Sequence, residues 1–185
     1  NGGRNTSPAQ QFVITITPIN MPPSFTKGPD ITVPEDTGAI SISAWATNID
    51  PGASRESGQI LDFRITNNNT ALFMVQPQIS RSGTLTFTSA PNRFGTASIV
   101  ARLYDNGGGN DSSAADTFTI IVNNVNDHPS FTTGNPQMVL EDAAPQNVRA
   151  WARAISPGPY EHDSIFFRCV ANRPDLFSIQ PSLND

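Results

Sequence analysis

Few side chains in this sequence are placed to make or break a bond. Its two histidines, His128 and His162, have neither a partnered nucleophile nor the spacing of metal ligands. The carboxylates recur as features of a repeat and not as one unique acid–base pair. Gly107-Gly108-Gly109 joins two expected strands and opens no helix, so it is not a phosphate cradle. The single cysteine, Cys169, excludes an intrachain disulfide and a cysteine metal cluster. An enzyme is therefore not expected. The chemistry on offer is that of an acceptor. Three Asn-x-Ser/Thr sequons start at Asn5, Asn68 and Asn110, each in an expected exposed loop, where a secreting eukaryotic cell could attach a glycan without unfolding the chain.

Composition narrows the class further. The 185 residues are 37% hydrophobic and 15% charged, which fits a globular, lightly charged chain. A net charge of −5 argues against a nucleic-acid surface, which needs clustered Lys and Arg. No apolar run approaches the roughly 20 residues of a membrane-spanning helix. Abundant Thr, Ser, Asn, Pro and Gly suit short strands joined by many turns.

The strongest signal is internal repetition. Sliding the chain by 106 residues superimposes Phe12 on Phe118, Phe25 on Phe131, Glu35-Asp36 on Glu141-Asp142, and Ala44-Trp45-Ala46 on Ala150-Trp151-Ala152. After Pro51-Gly52, matched by Pro157-Gly158, the offset falls to 104 and aligns Phe63-Arg64 with Phe167-Arg168 and Leu72-Phe73 with Leu176-Phe177. The chain thus divides into the tail of a first unit (1–19), a complete second unit (20–126) and the first half of a third (127–185). The expectation is a segment cropped from a longer array; the alternative is that neighbouring molecules complete the broken units.

These elements must position any site. Seven short strands are expected in the complete unit: Ile31 to Val33, Ala39 to Trp45, Leu61 to Thr66, Leu72 to Gln76, Thr84 to Thr88, Ala97 to Tyr104 and Thr117 to Val122. No window has sustained helical periodicity. Seven strands in a unit of this length fit an antiparallel sandwich. Trp45, Trp151, Phe63, Phe73, Phe118 and their repeat counterparts read as core, as does Cys169, which stands at the position of Ile65.

The phrases V-N-D-x-P-S-F-T (Val125 to Thr132), V-x-E-D (Val33 to Asp36), A-W-A-x-x-I (Ala44 to Ile49), N-x-x-L-F-x-x-Q-P (Asn69 to Pro77), G-T-L-x-F-T (Gly83 to Thr88) and D-N-G-G (Asp105 to Gly108) recur or sit in order along the unit. Together they resemble the tandem extracellular repeats of bacterial-Ig and cadherin-like type found in very large surface proteins of bacteria, algae and other protists. The resemblance covers essentially the whole chain. It implies an all-β fold of tandem immunoglobulin-like or cadherin-like, seven-stranded antiparallel sandwiches. It also implies calcium between repeats, held by acidic residues at the poles. The extended run from Phe25 to Val33, roughly 26 Å long, carries the chain from one pole to the other. Glu35, Asp36, Asn126 and Asp127 should then converge where unit two meets unit three, as a candidate Ca2+ site of hard oxygen ligands. The sequence departs from the cadherin pattern in two respects. Ala90-Pro91-Asn92-Arg93 stands where an acidic triplet would be, and Met21 replaces the linker acid at the first junction.

The resulting expectation is a structural segment of a long extracellular glycoprotein: a filament, stalk or surface appendage such as a flagellar hair or wall fibre. Its partners would be neighbouring repeats and copies of itself. The alternative is the stalk of a calcium-dependent cell-surface adhesin.

Overall fold

The structure, a computed structural model, describes residues 2–3 and 5–184. It is all-β, with no α-helix among those residues. The strands are β1 (Ser24–Thr26), β2 (Ile31–Pro34), β3 (Ala39–Ile42), β4 (Thr47–Asp50), β5 (Asp62–Asn67), β6 (Phe73–Ile79), β7 (Leu85–Ser89), β8 (Gly95–Tyr104), β9 (Asp116–Asn123), β10 (Ser130–Thr133) and β11 (Ala152–Ser156). A four-stranded sheet in the order β2-β9-β8-β5 and a three-stranded sheet in the order β3-β7-β6 enclose the core. β1 pairs with β4, and β10 pairs with β11.

Alternation within the strands builds this core. In β8, Ala97, Ile99, Ala101 and Leu103 point inward; in β9, Phe118, Ile120 and Val122 do the same. Leu85 and Phe87 of β7 face them from the other sheet. Each fully buried side chain of this size contributes about 1.5–3 kcal/mol relative to exposure. The Trp45 ring lies 4.3 Å from that of Phe118, and Phe73 meets Phe87 edge-on at 5.8 Å.

The expectation of seven antiparallel strands is corrected in three ways. The complete unit has nine strands, because β1 and β4 form a small extra pair. Next, β2 and β9 run parallel, Ile31 opposite Ile120 and Val33 opposite Val122. Both strands run toward the same pole, so pairing them leaves no antiparallel option. Third, the run from Phe25 to Val33 is broken at Gly28-Pro29, and β3 stops at Ile42 instead of reaching Trp45. Ala44 sits at φ 53° and turns the chain.

Trp45 therefore enters the core from a turn. Its indole Nε1 donates to the Pro29 carbonyl at 3.0 Å, and its ring lies where a Cβ on Gly28 would be, 2.6 Å away. The device recurs in the third unit. Trp151 Nε1 donates to the Asn135 carbonyl at 3.0 Å, and the ring covers Gly134. Backbone conformation recurs too, with left-handed residues at Asp36 and Asp142, Ala44 and Ala150, Asn48 and Ala154. The pairing Ser24–Asp50 of β1 and β4 reappears as Ser130–Ser156 of β10 and β11.

Residues 5–19 carry no strand, and Phe12, Val13, Ile14 and Ile16 are exposed. In residues 127–184 only β10 and β11 are paired, with no second sheet to close over them. Cys169, expected inward, is consequently exposed, as are Phe166 and Phe177. Trp151 is only half-buried. An open groove of about 600 Å3 lined by Pro129, Phe131, Ile155 and Phe167 runs beside Asp127.

Replacing Trp45 with Ala should lower the stability of the complete unit by about 3–5 kcal/mol. Met74→Ser, on an exposed position of β6, should change it by less than about 0.5 kcal/mol. Denaturant unfolding of the two variants measures both.

Candidate functional site: the joints between units

The parallel pair β2–β9 delivers Glu35 to the linker. Glu35 N–H donates to the Asn123 carbonyl at 2.9 Å, extending the ladder by one residue. Its carboxylate turns under the chain, and Oε1 accepts the Val125 N–H at 2.8 Å. Asp36, in a left-handed conformation, points outward, and its Oδ1 accepts the Asn92 N–H at 3.0 Å. Satisfying the network requires the Asn92 side-chain nitrogen to face two carboxylates, 3.2 Å from Asp36 Oδ2 and 3.2 Å from Asp127 Oδ2. Asp127 N–H in turn donates to Glu161 Oε1 at 2.8 Å. Arg93 lies 3.8 Å over the Tyr160 ring, a cation–π contact between unit two and unit three.

Of the four expected ligands, Asp36 and Asp127 are thus brought together through Asn92. Glu35 is buried beneath the linker. Asn126 stays outside, exposed, its side chain donating to the Asp127 carbonyl at 3.0 Å. Its counterpart Asn20 is more engaged. Asn20 Nδ2 donates to Asp105 Oδ1 at 3.1 Å and to the Asn110 carbonyl at 3.0 Å, and Gln59 Nε2 donates to Asn20 Oδ1 at 2.7 Å.

The first joint uses the same closure. Met21 N–H donates to Glu56 Oε1 at 3.3 Å, as Asp127 N–H does to Glu161. Gly52 and Gly158 make room for it. At Gly52 a Cβ would come within 2.8 Å of the Met21 Cβ and 2.9 Å of Glu56 Oε2; at Gly158 the figures are 2.7 Å for the Asp127 Cβ and 2.6 Å for Glu161 Oε2. Glu56 and Glu161 are absent from the sequence expectation, as is Asn92. The available signal was the repeated Pro-Gly followed by a Glu, at Pro51-Gly52 and Pro157-Gly158. The deletion between the repeats hid it, because the two glutamates align at neither 106 nor 104 but between them.

Orphaned oxygens concentrate here. Among the described residues three buried side-chain polar atoms lack a partner: Glu35 Oε2, Glu161 Oε2 and Gln59 Oε1, all at joints. Glu35 is 4% exposed and Glu161 8%. An unsatisfied buried acceptor costs about 1–3 kcal/mol, more when charged. No group of three His, Cys, Asp or Glu side chains is arranged to hold a metal ion among the described residues. A cation at the second joint would take its third oxygen from the Asn92 amide, which lies between Asp36 and Asp127 and presents oxygen when turned over. Carboxylate and amide oxygens are the donors calcium prefers, but only the Asp36 and Asp127 carboxylates meet at Asn92, fewer acidic donors than a built calcium site brings.

The three sequon asparagines are exposed. Asn68 Oδ1 accepts the Ser98 N–H at 2.8 Å, and the Asn110 carbonyl is held by Asn20. No family model matches the chain, and no curated protein or solved structure matches it.

Gly52→Ala should destabilise the chain by more than about 1 kcal/mol, since its φ is +124° and the added Cβ strikes the linker. Gly58→Ala meets open space and should not. Thermal melting of the pair distinguishes the two effects.

Proposed function

We propose that this chain is a stretch of a long extracellular structural glycoprotein, built from tandem immunoglobulin-like or cadherin-like sandwiches set end to end as a stalk, filament or surface appendage. The observation that carries this reading is the pinned linker. Val125 N–H is held by Glu35 of the unit before it, and Asp127 N–H by Glu161 of the unit after it. A connection gripped from both sides within three residues transmits bending and tension, which suits a load-bearing array in which each repeat touches its neighbours. Glu35, Glu56 and Glu161, the buried glutamates, are spent on linker N–H groups, which supports a structural role for them. Neighbouring repeats and further copies of the chain are the partners, and Asn5, Asn68 and Asn110 are the glycan acceptors.

β8 spans about 33 Å, so an array should have an axial spacing of roughly 35–45 Å per repeat. Electron micrographs of the native assembly test this. Isolated globular particles with no axial repeat would overturn the reading.

A second reading is supported by the partnerless Glu35 Oε2 and Glu161 Oε2. In it the stalk is stiffened by calcium at the second joint, as in a calcium-dependent adhesin, with Asp36, Asn92 and Asp127 as the oxygen donors. Calcium should then raise the melting temperature and a chelator lower it. An unchanged melting temperature would remove the second reading and leave the first intact.

A further inference from the structure

Three asparagines stand in a row where β5 gives way to β6, and the fold uses each differently. Asn67 Nδ2 donates to Gln76 Oε1 at 2.9 Å, and Asn69 Nδ2 donates to the Thr96 carbonyl at 3.1 Å. Asn68 is turned the other way. Its Oδ1 accepts the Ser98 N–H at 2.8 Å, while its backbone N–H donates to the Ser98 carbonyl at 3.2 Å. A planar amide held by its oxygen has its nitrogen fixed as well. Asn68 Nδ2 has no partner among the described residues, and the residue is exposed. Asn68 is also the only one of the three with a hydroxyl residue two places on, Thr70. The sequon nitrogen is therefore the one that the fold leaves free and holds still. At Asn110 only the backbone carbonyl is held among the described residues, by Asn20.

The place of this amide matters. β5 ends one sheet and β6 the other, and the two lie side by side along one edge of the sandwich. The Asn67–Gln76 bond ties them across it. An edge strand with unpaired backbone groups recruits other strands unless something blocks it. On the strands of the complete unit, the most exposed large apolar side chains are Met74 (63%) and Val75 (48%), both on β6. The third unit differs on both counts at the offset of 104. It keeps the asparagine as Asn172, but Pro174 stands for Thr70 and Ser178 for Met74. The unit with the sequon has the methionine at its edge, and the unit without the sequon has a serine.

We propose that Asn68 carries an N-linked oligosaccharide held in a fixed direction, and that this glycan guards the β5–β6 edge against pairing with a second copy of the chain. This rests on the glycoprotein reading above and adds which acceptor has a structural task. In the transfer, Asn68 Nδ2 forms a bond to the anomeric carbon of a lipid-diphosphate-linked oligosaccharide. The carbon–oxygen bond to the diphosphate breaks, the lipid diphosphate leaves with the electron pair, and the amide gives up one proton. The amide oxygen takes no part, so its bond to Ser98 survives the modification.

The full chain secreted from eukaryotic cells should carry a glycan on Asn68, read by peptide mass spectrometry before and after enzymatic deglycosylation. Thr70→Ala removes the acceptor signal but leaves the Asn68 amide. The Ser98 amide should therefore keep its hydrogen-exchange protection in Thr70→Ala and lose it in Asn68→Ala. In sedimentation velocity Thr70→Ala should shift toward larger species, and adding Met74→Lys should reverse the shift. Ser112→Ala, which removes the Asn110 sequon, should cause no such shift. A glycan on Asn5 or Asn110 with Asn68 bare overturns the proposal and leaves the glycoprotein reading in place; three bare sequons remove both. An occupied Asn68 whose loss leaves sedimentation unchanged also overturns it, as does a Ser98 amide that exchanges equally fast in the parent chain and in Asn68→Ala.

Discussion

The arrangement of this chain depends on a buried carboxylate closing onto the backbone of the linker that precedes it. A connection of a few residues has two free torsions at each, and its N–H groups have no sheet to bond to. Glu56 and Glu161 settle both matters by accepting the N–H of Met21 and Asp127. The closure demands a backbone without a side chain beneath it, which is why Gly52 and Gly158 stand there with positive φ. A carboxylate placed so deeply needs compensating charge or donors. The first joint provides them from its own residues, and the second keeps an oxygen unpaired.

The sandwich supplies the frame for these contacts. Because β2 and β9 run parallel, the chain enters the last residues of β2 and leaves β9 at the same pole. Glu35 is thereby set beside Val125, and Asp36 beside the loop that carries Asn92. The opposite pole holds the Asp105 turn, where Asn20 joins the preceding linker to the β8–β9 loop. Both poles thus bind a linker through carboxylate–amide contacts, Glu35 on Val125 at one, and Asp105 on Asn20 with Glu56 on Met21 at the other. Core packing between β8, β9 and β7 keeps the poles at a fixed distance.

Much of this was legible in the chain before any coordinates. The alternation of Ile99, Ala101 and Leu103, the recurrence of Ala-Trp-Ala and the turn at Asp105 each reflect local steric or hydrophobic demands that a short window contains. Asp36 and Asp127 were picked out because they repeat or fall in the linker. Asn92 was not, since an asparagine in a loop has no pattern of its own; its role comes from lying between two carboxylates, one of them 56 residues away in sequence. Glu161 was hidden by a length change in the loop, and Asn126 was picked out but lies outside the network because its amide finds a nearer acceptor.

The sequence by itself determined the repeat, the all-β class, the inward and outward faces of the strands in the complete unit and the pole at which Glu35 and Asp36 would lie. Those follow from periodicity and chain length, which act residue by residue. The tertiary structure alone decided that β2 joins β9 in parallel, that Trp45 enters from a turn, and that one glutamate at each joint grips the linker. Those outcomes depend on polar and steric matches between segments tens of residues apart, whose strength is fixed by distances of 2.8 to 3.3 Å that no local pattern encodes.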